Sequence, residues 1–329
     1  MTSCWALTSA ARRLQSVAGS ALVALAGACC LPAQTSQPAA YGTPEALAVV
    51  ADSRITEASV IIASRRNPGC YYVHNDSGDS PRVFLIDRAG KTRAEIRLKG
   101  AQAVDYEDIA WAPGDSPGTF DVCVADIGDN NAKRPNVTIY RFPEVALPER
   151  DGAVVDVQPT TYRLRYADGP ADAEAFFVHP RTGDGYILTK NYLGPSLVYK
   201  LAAPWDARQE AVLPRLLTLE LPLALPPLRV VTGADISPDG QRVALRCYGN
   251  GWEFHLPPGT PDADFERIFK TAPNELILPA EKQGEAICYS TDGNALLTIS
   301  EGESPTLWEV RTSGAESPAS APAAGKAGH

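Results

Sequence analysis

The chain has 329 residues, of which 44% are hydrophobic, and a formal net charge of −9. The negative charge argues against nucleic acid as a partner, and four histidines are few for a histidine-based zinc site or a catalytic triad. The length suits two ordinary domains or one large repeat domain, and 26 glycines and 28 prolines allow a core with many tight turns.

The N-terminal segment, residues 1–33, has the pattern of a secretory signal peptide. Arg12 and Arg13 precede an apolar run over residues 14–31, and a Pro-Ala-Gln-Thr stretch follows it. We therefore expect an exported protein, periplasmic or secreted, without a membrane span after processing. A retained membrane anchor is one alternative, and a lipoprotein attached through Cys29 or Cys30 is another.

Beyond this segment, residues 34–46 read as a linker, residues 47–311 as the folded domain and residues 312–329 as a disordered tail rich in Ala, Ser, Pro and Gly. An exported chain with an even number of cysteines can form disulfides. Cys247 and Cys288 are the favoured pair, with buried free cysteines as the alternative. The folded domain contains four cysteines in all: Cys70, Cys123, Cys247 and Cys288.

An acidic residue followed by a short apolar run recurs five times along the folded domain, at intervals of 50 to 67 residues. A period in this range, made of short β runs, is typical of a β-propeller with four-stranded blades. The last repeat lacks its outer strand, and residues 48–55 can supply it and close the ring. Five blades are favoured, and six remain open if a long repeat hides an irregular blade. The predicted repeats span residues 59–98, 109–166, 176–221, 235–278 and 286–310.

The five repeated acids stand at the start of the first strand of each predicted blade, and this strand lines the central channel. We therefore expect them to ring one mouth of the channel. Crowded carboxylates raise each other's pKa unless a cation neutralises them, and oxygen ligands suit Ca²⁺ or Mg²⁺. The sequence predicts a divalent-cation site, with Ca²⁺ favoured, formed by Glu57, Glu107, Glu174, Asp235 and Glu285.

The loops between second and third strands open on the same mouth and carry polar side chains. Lys190 and Arg246 are available there for an anionic group. A metal-bound water attacking a phosphoester or lactone is the predicted chemistry, with Glu107, Asp126 and His74 as candidate catalytic residues. The predicted ligand-binding residues are Asn75, Asp76, Asp79, Asp129, Asn130, Lys190, Arg246 and Glu301.

A structural role for the acids is the alternative to this hypothesis. The acids can form structural ion pairs, with Lys190 and Arg246 neutralising the ring. The protein would then be a non-catalytic propeller that binds a protein or polysaccharide. In either case we expect a monomer whose partner is a small anionic molecule or an extracellular polymer.

Three motifs carry a resemblance to a known group. Residues 74–79 (His-Asn-Asp-Ser-Gly-Asp), 105–110 (Asp-Tyr-Glu-Asp-Ile-Ala) and 126–130 (Asp-Ile-Gly-Asp-Asn) resemble the core motifs of a family of uncharacterised exported bacterial β-propellers. The resemblance covers residues 55–310 and is clearest in the first two repeats. More distantly, the repeated acid is similar to that of SdiA-regulated and phytase-like propellers, and the phytase-like similarity implies calcium in the channel and hydrolysis of phosphate esters.

Overall fold

The computed structural model of the protein describes residues 40–313, except 223, 224, 226 and 227. In this part of the chain the strands form five sheets arranged as a five-bladed β-propeller, which confirms the predicted fold class and the favoured blade count. The predicted signal segment and residues 314–329 lie outside the described residues. Among the described residues, no helix is long and apolar enough to span a membrane.

The blades follow one another along the chain, and each begins with its innermost strand and is completed outward. Blade 1 contains β2 (Ala58–Ala63), β3 (Cys70–Asn75), β4 (Arg82–Asp87), β5 (Thr92–Leu98) and β9 (Ala153–Val157). Blade 2 contains β6 (Tyr106–Pro113), β7 (Phe120–Asp126), β8 (Val137–Pro143), β10 (Thr160–Tyr166) and β14 (Ala211–Leu213). Blade 3 contains β11 (Ala173–Val178), β12 (Gly185–Thr189), β13 (Ser196–Leu201) and β15 (Arg215–Leu219). Blade 4 contains β16 (Val231–Ile236), β17 (Arg242–Cys247), β18 (Gly251–His255) and β19 (Asn274–Leu276), and blade 5 contains β20 (Cys288–Tyr289), β21 (Ala295–Thr298), β22 (Thr306–Arg311) and β1 (Glu45–Val49).

The inner strands form the central ring of the core. All residues of β2, β11 and β16 are buried, as are all but the last residue of β6. Neighbouring inner strands pack against one another in the order β2, β6, β11, β16, β20 and back to β2. Because each fully buried large apolar side chain contributes roughly 1.5–3 kcal/mol, this ring supports the whole fold and fixes the positions of the residues at its ends.

The N-terminal strand closes the ring, as the sequence predicts. β1 pairs antiparallel with β22, with Glu45 opposite Glu309 and Val49 opposite Thr306, so blade 5 gains its fourth strand. The strand runs over Glu45–Val49 rather than residues 48–55, because the chain leaves the sheet after Val49 and turns toward blade 1. The pairing continues beyond the strand, since Tyr41 bridges Thr312 in the segment predicted as tail.

In the described part of the chain, the long second and third repeats contain no sixth blade. Their extra residues form β9 and β14, and each of these strands pairs in parallel with the outer strand of the preceding blade, β5 and β10 respectively. In blade 4 the corresponding connection forms a 3₁₀ helix (Asp262–Lys270), and its Phe265 packs against Phe177 and Tyr186 of blade 3. The connections between third and fourth strands of blades 2, 3 and 4 therefore each bind the preceding blade.

Two buried carboxylates tie the inner strands together. Asp108 accepts hydrogen bonds from the backbone N–H groups of Ile109 (2.8 Å), Phe176 (2.7 Å) and Ala234 (3.3 Å), which belong to blades 2, 3 and 4. Asp235 accepts from the N–H groups of Ile236 and Tyr289, both at 2.8 Å, and so joins blade 4 to blade 5. Buried polar groups require such partners, and these bonds link the inner strands of blades 2 to 5.

The four cysteines of the folded domain are free and buried. The predicted disulfide between Cys247 and Cys288 is therefore wrong. The two residues lie in different blades, on β17 and β20, where each is fully buried and packs as a small apolar side chain.

Candidate functional site

Each inner strand carries one extra residue near its start. The ladder register shifts between Ala58 and Val60 in β2, Tyr106 and Asp108 in β6, Ala173 and Ala175 in β11, and Val231 and Gly233 in β16. In blade 5, Gly284 bridges Ser300 while Cys288 pairs with Leu297, so one extra residue lies in the segment that contains Glu285. A bulge of this kind removes a residue from the ladder and redirects its side chain. The bulge positions of blades 1 to 4 are Ser59, Glu107, Glu174 and Thr232, and Glu285 stands at the matching place in blade 5, directly after the bridged Gly284.

This register corrects the predicted ring. Glu107, Glu174 and Glu285 occupy equivalent positions, but Glu57 and Asp235 do not. Glu57 precedes the bulge of blade 1 by two residues and is exposed. Asp235 follows the bulge of blade 4 by three residues, and its carboxylate is engaged by two backbone N–H groups. The channel mouth therefore has three glutamates and two hydroxyl side chains at this level.

Two overlapping groups of carboxylates have the spacing of a metal site. Asp76, Asp105 and Glu107 form one group, and Glu107, Asp172 and Glu174 form the other. In each group the nearest carboxylate oxygens all lie within 4.8 Å of one another. Glu107 is shared, so five carboxylates from blades 1, 2 and 3 meet at one place.

Polar side chains at the ends of β3 and β7 fix the loops beside the carboxylate groups. Asn75, the last residue of β3, accepts hydrogen bonds through its side-chain oxygen from the N–H groups of Thr56 (3.1 Å) and Glu57 (3.2 Å). Asp126, the last residue of β7, accepts from the N–H groups of Val104 (3.2 Å) and Asp105 (3.1 Å). Both side chains thus fix the loops that lead into inner strands. Asp126 has a structural role in this arrangement, with Arg134 as its ion-pair partner at 2.8 Å.

The loop after β7 covers the carboxylate cluster. A Cβ at Gly128 would lie 2.2 Å from Glu107 Oε1 and 2.5 Å from Asp105 Oδ2, so a larger residue here would displace these two carboxylates. The next residue, Asp129, donates its backbone N–H to Asp172 Oδ1 at 2.8 Å. Its own carboxylate accepts from the N–H of Arg134 at 2.6 Å. The loop therefore positions Asp172, and Asp129 stabilises the loop.

Burial and like charge raise the pKa values of the cluster. Glu107 is only 5% exposed, and no hydrogen bond to its carboxylate is present among the described residues. Burial raises its pKa well above the ordinary value, and the charges of Glu174, Asp76 and Asp105 raise it further. Burial also raises the pKa of Asp76 to about 6, and that of Glu174 to about 8 despite the adjacent Lys190. Burial also raises the pKa values of Asp105 and Asp172.

The two basic residues predicted to bind an anion are paired with carboxylates. Lys190 forms an ion pair with Glu174 and lies 5.8 Å and 5.6 Å from the ring centroids of Tyr192 and Tyr248. Arg246 is 1% exposed and forms an ion pair with Glu281 at 3.0 Å. Lys190 therefore neutralises one acid of the predicted ring, whereas the partner of Arg246 lies outside that ring.

The remaining predicted residues lie outside the two carboxylate groups. His74 is fully buried edge-on against Tyr106, and burial lowers its pKa to about 4. Asp79 pairs with Arg82 at 2.8 Å, and Asn130 is exposed. Glu301 lies near Glu285, whose pKa rises to about 9 through burial and then the charges of Glu301 and Glu174.

Sequence reasoning missed Asp105 and Asp172 as candidate ligands. Each stands two residues before a bulge glutamate, in Asp105-Tyr106-Glu107 and Asp172-Ala173-Glu174. This Asp-x-Glu spacing in two consecutive repeats is the signal that identifies them. Gly128 was also missed, because its importance follows from a contact between distant segments.

No protein-family model matches this chain, and no curated protein matches it either.

We predict that the stability of the protein without metal falls as pH rises from about 6.5 to about 9. The raised pKa values of Glu107, Glu174 and Glu285 mean that the folded state binds more protons than the unfolded state in this range. Stability from these groups is complete below their unfolded pKa and is lost as they ionise. Below pH 6.5 the buried His74 contributes with the opposite sign.

Urea unfolding in a chelator at several pH values measures this slope. Replacing Glu107 with Gln removes one titrating group and should make the slope shallower, whereas Glu303→Gln, at an exposed position, should leave it unchanged. A stability that stays constant or rises between these pH values in the wild-type protein would contradict the electrostatic account of the mouth.

Proposed function

We propose that this propeller binds a divalent cation at its channel mouth, with Ca²⁺ favoured, and that the cation holds the anionic group of a small ligand. The observation that carries the proposal is Glu107, a buried carboxylate without a hydrogen-bond partner among the described residues, placed where two groups of acids overlap. An ionised carboxylate in such a position needs a positive charge or a proton.

The Asp76, Asp105 and Glu107 group is the better of the two cation sites. In the other group Glu174 already pairs with Lys190. Among the described residues, no basic side chain forms an ion pair with Asp76, Asp105 or Glu107. The first group therefore has the larger uncompensated charge.

The donor set favours a hard cation. Both groups offer only carboxylate oxygens, without histidine or cysteine. Ca²⁺ takes six to eight oxygen ligands, whereas Mg²⁺ usually keeps several waters. Three side chains thus leave coordination positions for waters and for oxygens of a ligand. A bound cation would polarise a phosphoryl or carbonyl oxygen and make a coordinated water more acidic. On this basis we also propose that the protein hydrolyses a phosphoester or a lactone.

A second candidate function is non-catalytic binding of a polysaccharide or protein. Tyr192 and Tyr248 stack at the rim with ring centroids 6.3 Å apart, and Tyr192 is 50% exposed. The adjacent Leu193 is 94% exposed. Exposed aromatic faces beside a cation site suit a sugar ring. Export, which both functions assume, remains a proposal based on residues 1–33.

Calorimetric titration with CaCl₂ tests the cation site. Wild-type protein should bind one Ca²⁺, and Glu107→Gln should bind it at least about tenfold more weakly. The matched control is Glu303→Gln, which makes the same chemical change on an exposed loop of the same mouth and should bind like wild type.

Thermal unfolding separates loss of binding from loss of folding. Without Ca²⁺, the Glu107→Gln protein should be at least as stable as wild type, because glutamine cannot ionise among the neighbouring acids. Gly128→Ala should also weaken binding, since its Cβ would displace Glu107 and Asp105. Equal Ca²⁺ affinity in wild type and Glu107→Gln would overturn the site.

Turnover of p-nitrophenyl phosphate and of γ-butyrolactone tests the ligand and the reaction. We expect turnover of one of them that requires Ca²⁺, is lost in Glu107→Gln and persists in Glu303→Gln. Ca²⁺-dependent binding of a soluble polysaccharide without turnover would favour the second function. Stoichiometric Ca²⁺ binding with no effect on any anion or sugar would contradict the ligand proposal and leave the cation site standing.

A further inference from the structure

A second cavity lies at the opposite end of blades 1 and 2 from the mouth. β6 begins near the mouth at Tyr106 and ends at Pro113, and the turn that follows it lines the cavity together with residues at the ends of β2 and β8. Its volume is about 400 Å³, within the range of small-molecule sites. Arg65, Arg66, Phe120, Asp121, Pro143 and Glu144 are among its lining residues.

Arg65 lines this cavity and has no carboxylate partner among the described residues. Its guanidinium carbon lies 3.1 Å from the ring centroid of Trp111 and 5.2 Å from that of Phe120. Its Nε is buried and has no hydrogen-bond partner, and no ion pair to Arg65 is found in the described part of the chain. Burial lowers its pKa to about 10. Stacking on the rings fixes the plane of the guanidinium. Its N–H donors are therefore held in fixed directions without acceptors from the described residues.

The acceptors around Arg65 are largely occupied. Glu144 accepts from Ser64 Oγ (2.6 Å) and from the backbone N–H groups of Arg65 (2.9 Å) and Arg66 (3.0 Å). Asp121 accepts from Arg141 Nε at 2.7 Å. A third lining carboxylate, Asp115, lies on the exposed turn.

Arg66 is also exposed, and the hydrogen bond of its guanidinium is a long one, 3.4 Å, to the Glu144 carbonyl oxygen. Around Arg65 the cavity therefore has unmatched guanidinium donors, and the third carboxylate lies away from them on the exposed turn. A ligand that fits it must supply acceptor atoms.

We propose that this cavity is a binding site for a small organic anion. A carboxylate or phosphate group accepts hydrogen bonds from Arg65 and Arg66, and an apolar body packs on Phe120 and Pro143. Planar guanidinium groups bind both kinds of anion in a bidentate manner. The site is independent of the carboxylate cluster, because it lies at the other end of β6 and needs no cation.

Titration with benzoate and with phenyl phosphate in the presence of EDTA tests this site, and the chelator keeps the result separate from cation binding at the mouth. Wild-type protein should bind at least one of the two anions saturably with 1:1 stoichiometry. Arg65→Gln should weaken the binding at least about tenfold. Arg65→Lys keeps the charge without the planar guanidinium, and its affinity should lie between those of wild type and Arg65→Gln. Arg163→Gln, an exposed arginine outside the cavity, is the matched control and should bind like wild type.

Arg66→Gln provides a second variant at an exposed position, in case Arg65→Gln fails to fold. It should weaken binding at least about threefold. The proposal is overturned if wild type binds neither anion saturably, if folded Arg65→Gln binds as tightly as wild type, or if Arg66→Gln retains full affinity.

Discussion

The mouth of this propeller depends on one extra residue in each inner strand. A bulge takes a residue out of the hydrogen-bonded ladder and turns its side chain away from the sheet. Because the bulges occur at equivalent positions, Glu107 and Glu174 face each other although they belong to different blades. Asp105 and Asp172, two residues earlier, follow the same geometry, and Asp76 from the loop after β3 completes the cluster. The position of the extra residue thus decides which acids meet.

The buried acidic residues of this protein fall into two sets, according to whether backbone N–H groups donate hydrogen bonds to their carboxylates. Asp108, Asp126, Asp235 and Glu144 each accept backbone N–H groups, which compensates their burial and ties blades or loops together. Glu107 has no such donor among the described residues, and the charges around it are mostly of the same sign. The carboxylates that accept N–H groups stabilise the fold. This stability allows the fold to hold Glu107 and the acids around it in an arrangement that is unfavourable without a cation.

The blade count and the ring-closing strand could be predicted because they depend on local patterns, namely short apolar runs, tight turns and a missing outer strand. The ring of acids was predicted only in part. Glu57 and Asp235 match the repeat in sequence, but a match of residue types does not reveal where the extra residue falls in the ladder. Lys190 and Arg246 lie near the predicted mouth, yet their carboxylate partners are fixed by contacts between segments that sequence spacing does not indicate. The same limitation applies to β9 and β14, because each pairs with the blade that precedes the repeat containing it in the sequence.

A crystal structure of the protein in CaCl₂, with anomalous data collected at long wavelength, tests the central claim most directly. The account predicts an anomalous peak about 2.3–2.6 Å from carboxylate oxygens of Asp76, Asp105 and Glu107. An intact propeller with no peak at this position, and with Lys190 or another basic side chain contacting Glu107 instead, would contradict it.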